Sequence, residues 1–277
     1  PSRQMSGGSI TKTGTWEAGR VRVHPDGRAT LSVGTHSHGQ SHEITFRQVA
    51  ADGLGIDIEA IDFQQGDTDR DPGNFGTGAA RSLSTAGIAL AIASERIIAK
   101  ATTLAAHMME CAEADIDYRD GTFTIRGTDR GRSFSQVAEM AYHGGDYPEE
   151  GFELGLESTV NFDPVAANFP TALHLAVVMV DVETGVVRLR AYNCVDDCGR
   201  VVNPLIVHGQ VHGGLGQGIG QAMIEHMEYE PESGQLLTGS FMDYAMPRAD
   251  DLPSFDLSFQ ETLCPSNPLG VKGCSET

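Results

Sequence analysis

Four segments of this chain carry residue types suited to handling a polar or charged ligand. The first, residues 34–42, holds Gly34, His36, His38, Gly39, Gln40, Ser41 and His42 between a strand pattern and a helical one. Free backbone N–H groups and the positive end of a helix would face anything docked there. Gln40 can both donate and accept. His36, His38 and His42 raise a metal site, but spacings of two and four do not align on one element, and capping or turn chemistry explains them as well. The second segment, residues 66–82, begins acidic and ends in the small residues of 76–82; it lacks the bidentate Glu that closes a calcium loop. Small side chains let a ligand approach backbone N–H groups, and a tight packed turn would use the same residues. The third places Asp196, Asp197, Cys198 and Gly199 ahead of Asn203 and Pro204. Adjacent carboxylates could act as general acid and base. Neighbours on one strand point to opposite faces, so one of the two is structural. The fourth, residues 270–277, offers a single carboxylate, Glu276, near Lys272, and by itself is equally a surface turn. No nucleotide P-loop, dinucleotide Gly-x-Gly-x-x-Gly unit or Gly-x-Ser-x-Gly elbow accompanies them.

The elements that must position these loops follow from periodicity. Residues 20–24 and 28–34 alternate around Pro25-Asp26-Gly27, a hairpin signal. Residues 175–181 and 186–194 do the same around Glu183-Thr184-Gly185, and weaker hairpins fall at 116–125 and 227–238. From Ser41 onward, Phe46, Val49, Ala50 and Leu54 share one helical face. Residues 83–110 are rich in Ala and Ile nearly all round, which predicts a helix buried on most sides. Residues 203–226 form a third predicted helix, with Pro204 in its first turn and Gln210 and Gln217 along it. It carries Gly209, Gly213, Gly214, Gly216, Gly218 and Gly220. Each interior Gly costs about 1 kcal/mol relative to Ala, so the run implies close backbone packing or a ligand against it. The stretch 161–170 is the best internal boundary, and the expected class is α+β with lobes at 1–160 and 171–277.

Composition narrows the function. The 277 residues include 38 acidic side chains against 19 Lys plus Arg, a net charge of −19. That balance argues against nucleic acid and against an anionic membrane surface. Glu95, Arg96 and Lys100 interrupt the most apolar stretch, so no membrane span is expected. No secretory signal opens the sequence, and the five cysteines form no Cys-x-x-Cys pair; reduced thiols and a cytoplasmic location are the expectation.

Taken in order, the four segments resemble the molybdenum hydroxylase family, which includes xanthine dehydrogenase, aldehyde oxidoreductase and the large subunit of aerobic carbon monoxide dehydrogenase. The resemblance runs from about Gly19 to Thr277. It is nearest the carbon monoxide dehydrogenase-like branch, through Gly39-Gln40-Ser41-His42-Glu43, Gly66-Asp67-Thr68-Asp69, Asp196-Asp197-Cys198-Gly199, His208-Gly209-Gln210-Val211-His212-Gly213-Gly214 and the segment ending at Glu276. It implies the C-terminal half of a molybdopterin-binding subunit, a two-lobed fold with mixed and antiparallel sheets packed on long helices. By position it implies cofactor contacts from Gly39, Gln40, Ser41 and His42, from the turn Ala79, Ala80, Arg81 and Ser82, and from Gln217, with Glu276 as catalytic base and no metal-ligating side chain. The implied cofactor is a molybdenum-pyranopterin, in its cytosine dinucleotide form, cradled by donor groups with no fixed cation needed. The implied reaction hydroxylates an aldehyde, an N-heterocycle or carbon monoxide with oxygen from water. Electrons would leave through iron–sulfur clusters and FAD on partner subunits, and the N-terminal half of the same subunit would complete the site.

The chain departs from the family's pattern at Ser41 and Ser275, where the family has Gly, and at Ala80, where it has Ser. A Gly-to-Ser change restricts a loop wherever φ must be positive. These departures motivate a second expectation, a non-catalytic cofactor-binding or scaffold subunit of the same fold. A stand-alone metal protein built on the His cluster is a third.

Overall fold

The structure, a computed structural model, describes residues 2–3, 16–73, 75–148 and 151–275. In chain order its elements are β1 (Ser2–Arg3), β2 (Glu17–Val23), β3 (Ala29–Val33), α1 (His42–Leu54), β4 (Ile61–Gln64), α2 (Ile88–Met109), β5 (Ile116–Arg119), β6 (Thr122–Ile125), β7 (Gly131–Ser133), α3 (Phe134–His143), β8 (Leu156–Phe162), β9 (Thr171–Val180), β10 (Val187–Asp197), α4 (Pro204–Met223) and β11 (Phe255–Phe259). The class is α+β, with sheets ordered β4-β3-β2-β8, β5-β6-β7 and β1-β9-β10-β11.

The β2–β3 hairpin pairs Val21 with Leu31 and Val23 with Ala29, so one face of alternating apolar residues turns inward together. Helix α2 lies across that face. Its Leu90, Ala93 and Ile97 join Val21, Leu31, Phe46 and Leu54 in one buried cluster, as its nearly uniform apolarity requires. Gly19 permits the contact, because a Cβ there would sit 2.9 Å from the Leu90 nitrogen. Before α2 the chain makes a wider π turn over Leu83–Gly87, then continues as α-helix. A second apolar cluster forms where Val211, Leu215 and Ile219 of α4 pack on Ala172 and Cys194 of the β9–β10 sheet.

The structure adds elements that the periodicity did not show. Helix α3 is short but closed by a full capping box between Ser133 and Gln136. Strand β8 carries pairing through Phe162, into the stretch read as a boundary, because Glu17 on β2 pairs with Phe162. The weak hairpin at 227–238 is present as a short antiparallel pairing: Tyr229 bridges Leu236, the Glu230 N–H donates to the Gln235 carbonyl and the Leu237 N–H to the Glu228 carbonyl, both at 2.8 Å. On α4 the glycines divide in two. A Cβ at Gly214 would meet the Ser275 carbonyl oxygen at 2.3 Å and one at Gly220 would meet Pro247 at 2.8 Å, while Gly209, Gly213, Gly216 and Gly218 face open space. No helix among the described residues is long and apolar enough to cross a membrane.

One buried ion pair fixes the loop ahead of α2. Arg81 Nη1 donates to Glu17 Oε1 at 2.6 Å and to the Gly76 carbonyl at 2.8 Å, and the Gly76 N–H donates to the same Glu17 oxygen at 2.9 Å. Burial pushes the Glu17 carboxyl above its ordinary pKa, while the Arg81 hydrogen bond and charge pull it part of the way back. Removing one member of such a pair strands a buried charge, at a cost of about 3–5 kcal/mol. Glu17→Ala is therefore expected to lose that much stability in urea unfolding. Glu17→Ala with Arg81→Met should recover most of it, and a single-variant loss below about 1 kcal/mol would remove the pair from this role.

Candidate functional site

All four sequence segments converge on one cavity of about 440 Å³. The first contributes His38, Gly39, Gln40 and His42; the second contributes Thr77, Gly78, Ala79, Ala80 and Ser82. The third adds Cys198, Arg200, Asn203 and Gln210, and the fourth adds Lys272, Cys274 and Ser275. Three helices begin here. Ser41 and Ser82, at the N-termini of α1 and of the π turn, place no side-chain cap on the first N–H groups. At α4, Asn203 Oδ1 accepts from the Ile206 N–H at 3.1 Å, and Asn203 Nδ2 donates to Gln48 Oε1 of α1 at 2.9 Å. Uncapped N–H groups and converging positive helix ends make the cavity suited to an anion.

Hydrogen bonds lock the loops to one another. The Thr77 hydroxyl donates to the His36 carbonyl and accepts from the His36 N–H, both at 2.8 Å. Ser37 N–H donates to Gln65 Oε1 at 3.1 Å. Gln40 Oε1 accepts from the His38 N–H, which leaves its amide NH₂ to donate. Backbone strain gathers here as well. Six described non-glycine residues hold positive φ; Glu110 ends α2 and Asp120 sits in a hairpin, but Ser41 (58°), Ala79 (49°), Ala80 (47°) and Ser275 (65°) line or adjoin the cavity. Each left-handed residue costs about 1–2 kcal/mol, and such strain concentrates where function demands a geometry.

The cavity also holds cations that sequence reasoning did not assign. Lys272 Nζ lies 3.0 Å from Asp197 Oδ2, and Asp197 Oδ1 accepts from the Gly199 and Thr262 N–H groups. Burial alone would raise the Asp197 pKa, but these bonds outweigh it and hold the carboxyl below its usual range. Asp197 is thus the structural member of the Asp196–Asp197 pair, and it aims Lys272 at the cavity. Arg200, exposed, lines the same wall. Sequence reasoning assigned no cation here, and the structure places Lys272 and Arg200 on the cavity wall.

Of the residues named from sequence, Gly39, Gln40, His42, Ala79, Ala80 and Ser82 line the cavity, and Ser41 sits between two that do. Arg81 turns away into its pair with Glu17, its guanidinium 5.0 Å from the Phe75 ring centroid, so it positions the turn from behind. Glu17 had no sequence signal, since the pairing spans 64 residues. Gln217 is exposed on α4 outside the cavity; Gln210, two turns earlier, is the glutamine that reaches it. Glu276 lies outside the described residues, and its neighbour Ser275 borders both this cavity and a second, mainly apolar one of about 430 Å³ between α4 and the β9–β10 sheet. Among the described residues no three His, Cys, Asp or Glu side chains are grouped to hold a metal ion. The acidic start of the second segment is a turn network instead, with the Asp69 N–H on Asp67 Oδ1 and the Asp67 N–H on Asp71 Oδ2.

His42 is buried against Phe46, and its Nδ1 has no hydrogen-bond partner among the described residues. Burial, with the nearby His38 and His36, lowers its pKa from 6.5 to about 4. The folded state therefore holds the neutral imidazole, and its contribution is fully present above about pH 6.5 and lost as pH falls toward about 4. At about 1.4 kcal/mol per pKa unit the loss is roughly 3 kcal/mol. Urea unfolding across this range should show the stability difference between wild type and His42→Gln shifting by that amount; parallel pH profiles would contradict it.

Comparison with known proteins fits this geometry. A family model described as the molybdopterin cofactor-binding domain matches residues 2–253. The carbon monoxide dehydrogenase large chain of Hydrogenophaga pseudoflava is 38% identical over 269 residues, which cover 97% of this chain and 33% of that relative. The nicotine 6-hydroxylase large subunit of Paenarthrobacter nicotinovorans is 36% identical over 258 residues, 93% of this chain and 32% of the relative. Reconstituted CO dehydrogenase from Oligotropha carboxidovorans superposes with a TM-score of 0.93 at 34% identity, covering 99% of this chain and 34% of that one. The chain spans about a third of the length of these relatives. With one cavity built from the same four segments that carry the resemblance, the chain belongs to the molybdopterin cofactor-binding domain family.

Proposed function

We propose that this chain forms part of the cofactor cradle of a molybdenum hydroxylase large subunit that oxidises a small aldehyde, an N-heterocycle or carbon monoxide. The observation that carries this reading is the convergence of three helix N-termini, two cations and the Gln40 amide on one cavity. That donor set fits an anionic pyranopterin, and the positive-φ turn at Ala79 and Ala80 brings backbone close to it. When bound, the molybdenum-pyranopterin supplies two-electron oxidation with water as the oxygen source. Gln40 and the first N–H groups of α1 would hydrogen-bond it, Lys272 and Arg200 would face its negative charge, and Glu276 would serve as the base that takes up a proton during the oxidation. The cytosine dinucleotide form would extend the anionic contact.

The two apolar clusters support a division into two lobes, 1–160 and 171–277. The exposed Leu173, Leu175 and Val177 of β9 and the open glycine face of α4 suit packing by the rest of the subunit. Iron–sulfur and flavin subunits would then accept the electrons, and the five free cysteines suit a reducing cytoplasm. The strained Ser41 and Ser275 favour a second reading, a subunit that binds the cofactor without turning it over.

Metal and pterin analysis of the protein produced with the remainder of its subunit and its electron-transfer partners tests the first reading. Molybdenum and pterin are expected in stoichiometric amounts, and their absence would refute cofactor binding. Glu276→Gln should lower turnover by at least about 100-fold with cofactor retained. Full occupancy without any turnover in the wild type would favour the second reading. Lys272→Met should weaken cofactor retention about tenfold, as expected for one charge-assisted contact, measured by the rate of pterin loss on dilution.

A further inference from the structure

The cavity wall holds two thiols that the proposed chemistry does not use. Cys198 ends the third segment and Cys274 belongs to the fourth, and both line the cavity. The two stretches are paired as antiparallel backbone: the Lys272 N–H donates to the Cys198 carbonyl at 2.8 Å, the Arg200 N–H donates to the Gly270 carbonyl at 3.0 Å, and Gly199 bridges Val271. Cys274 follows two residues after Lys272, which pairs with Cys198, and it lines the same wall, so the two thiols are close enough for Cys198 to raise the Cys274 pKa. Cys198 is buried at 3% exposure, and Cys274 packs on the second apolar cluster. Gly273, between Lys272 and Cys274, is buried, with its N–H held by Asn168 Oδ1 at 3.0 Å.

We propose that Cys198 and Cys274 form a reversible disulfide, a redox-switched crosslink in the wall of the cavity. With hydrogen peroxide as oxidant the step balances. One thiolate sulfur attacks the peroxide, giving a sulfenic acid and one water; the other thiol condenses with it, giving the S–S bond and a second water. Two thiols lose two protons and two electrons, and the peroxide accepts them. A dithiol reductant reverses the step by exchange. The neighbouring Cys198, burial and the nearby Asp196 keep the Cys274 thiol protonated, so its oxidation is slow near neutral pH. The crosslink would tie the segment that contains Ser275 to the end of β10.

The test is peptide mapping of the protein as isolated, before and after hydrogen peroxide, at a series of pH values. The expected result is a peptide pair joining Cys198 to Cys274, with two of the five thiols lost, faster formation at alkaline pH, and reversal by dithiothreitol. The crosslink should be absent from Cys198→Ser and Cys274→Val and present in Cys111→Ser and Cys264→Ser. Oxidation should also raise the Tm of the wild type by several degrees, because the bond closes a long loop, and leave that of Cys274→Val unchanged. Sulfinic acid at one of these cysteines with the other free, a crosslink through Cys194 or Cys264 instead, or no crosslink at any pH would overturn the proposal. The wild-type map decides this even if a variant fails to fold.

Discussion

The constraint on which the site depends is electrostatic: three helices begin at one cavity. Each N-terminus carries roughly half a positive charge, and aiming three at one place is unfavourable unless something negative or polar receives them. The chain answers at only one of the three, where Asn203 caps α4. Around the others the first-turn N–H groups carry no side-chain cap, and Arg200 adds to the same sign, with Lys272 sharing its charge with Asp197. Arg81 shows the contrast. Its charge is neutralised out of sight by Glu17, so it stiffens the turn without entering the cavity. The overall charge of −19 runs against this local field. Surface charge is screened over about 8–10 Å, whereas groups inside the cavity act at contact, so the local sign governs what binds there.

Strain supports the same view. Ala79 and Ala80 take consecutive left-handed conformations, which few loops impose on residues with a side chain. The turn survives because its flanks are fixed: Thr77 bonds to His36 in both directions, and Arg81 holds Gly76 to Glu17. Immediately after it the backbone widens into a π turn, a feature that often marks functional sites. The result is a short stretch of backbone brought to the cavity with only methyl groups in the way.

Much of this was legible in the chain. Ligand-facing loops were marked by Gly, Ser and Gln at strand–helix junctions, and α1, α2 and α4 by periodicity, because those signals are local. Residues acting through distant partners were not. Glu17 looks like any strand acid until Arg81 folds onto it, and Lys272 gains direction only from Asp197. Gln217 and Gln210 occupy one helix in similar glycine-rich surroundings, and spacing alone does not say which of two turns meets the first loop. Helix α3 escaped notice because ten residues give little periodicity, although its capping box was written in Ser133 and Gln136.

The glycine excess, finally, divides by cause. Gly199 holds a φ of 70°, and a Cβ there would meet the Gly270 carbonyl at 2.3 Å; Gly214 stands equally close to Ser275. A side chain at Gly199 would thus displace the segment at Gly270, and one at Gly214 would push Ser275 off the wall it shares with both cavities. Gly209, Gly213, Gly216 and Gly218 relieve no clash within this chain. A helix that bears four such residues accepts about 1 kcal/mol for each in lost helix preference. Of the six glycines on this helix, then, Gly214 is explained by the loop it holds and Gly220 by Pro247, while the other four leave one face of α4 without side chains.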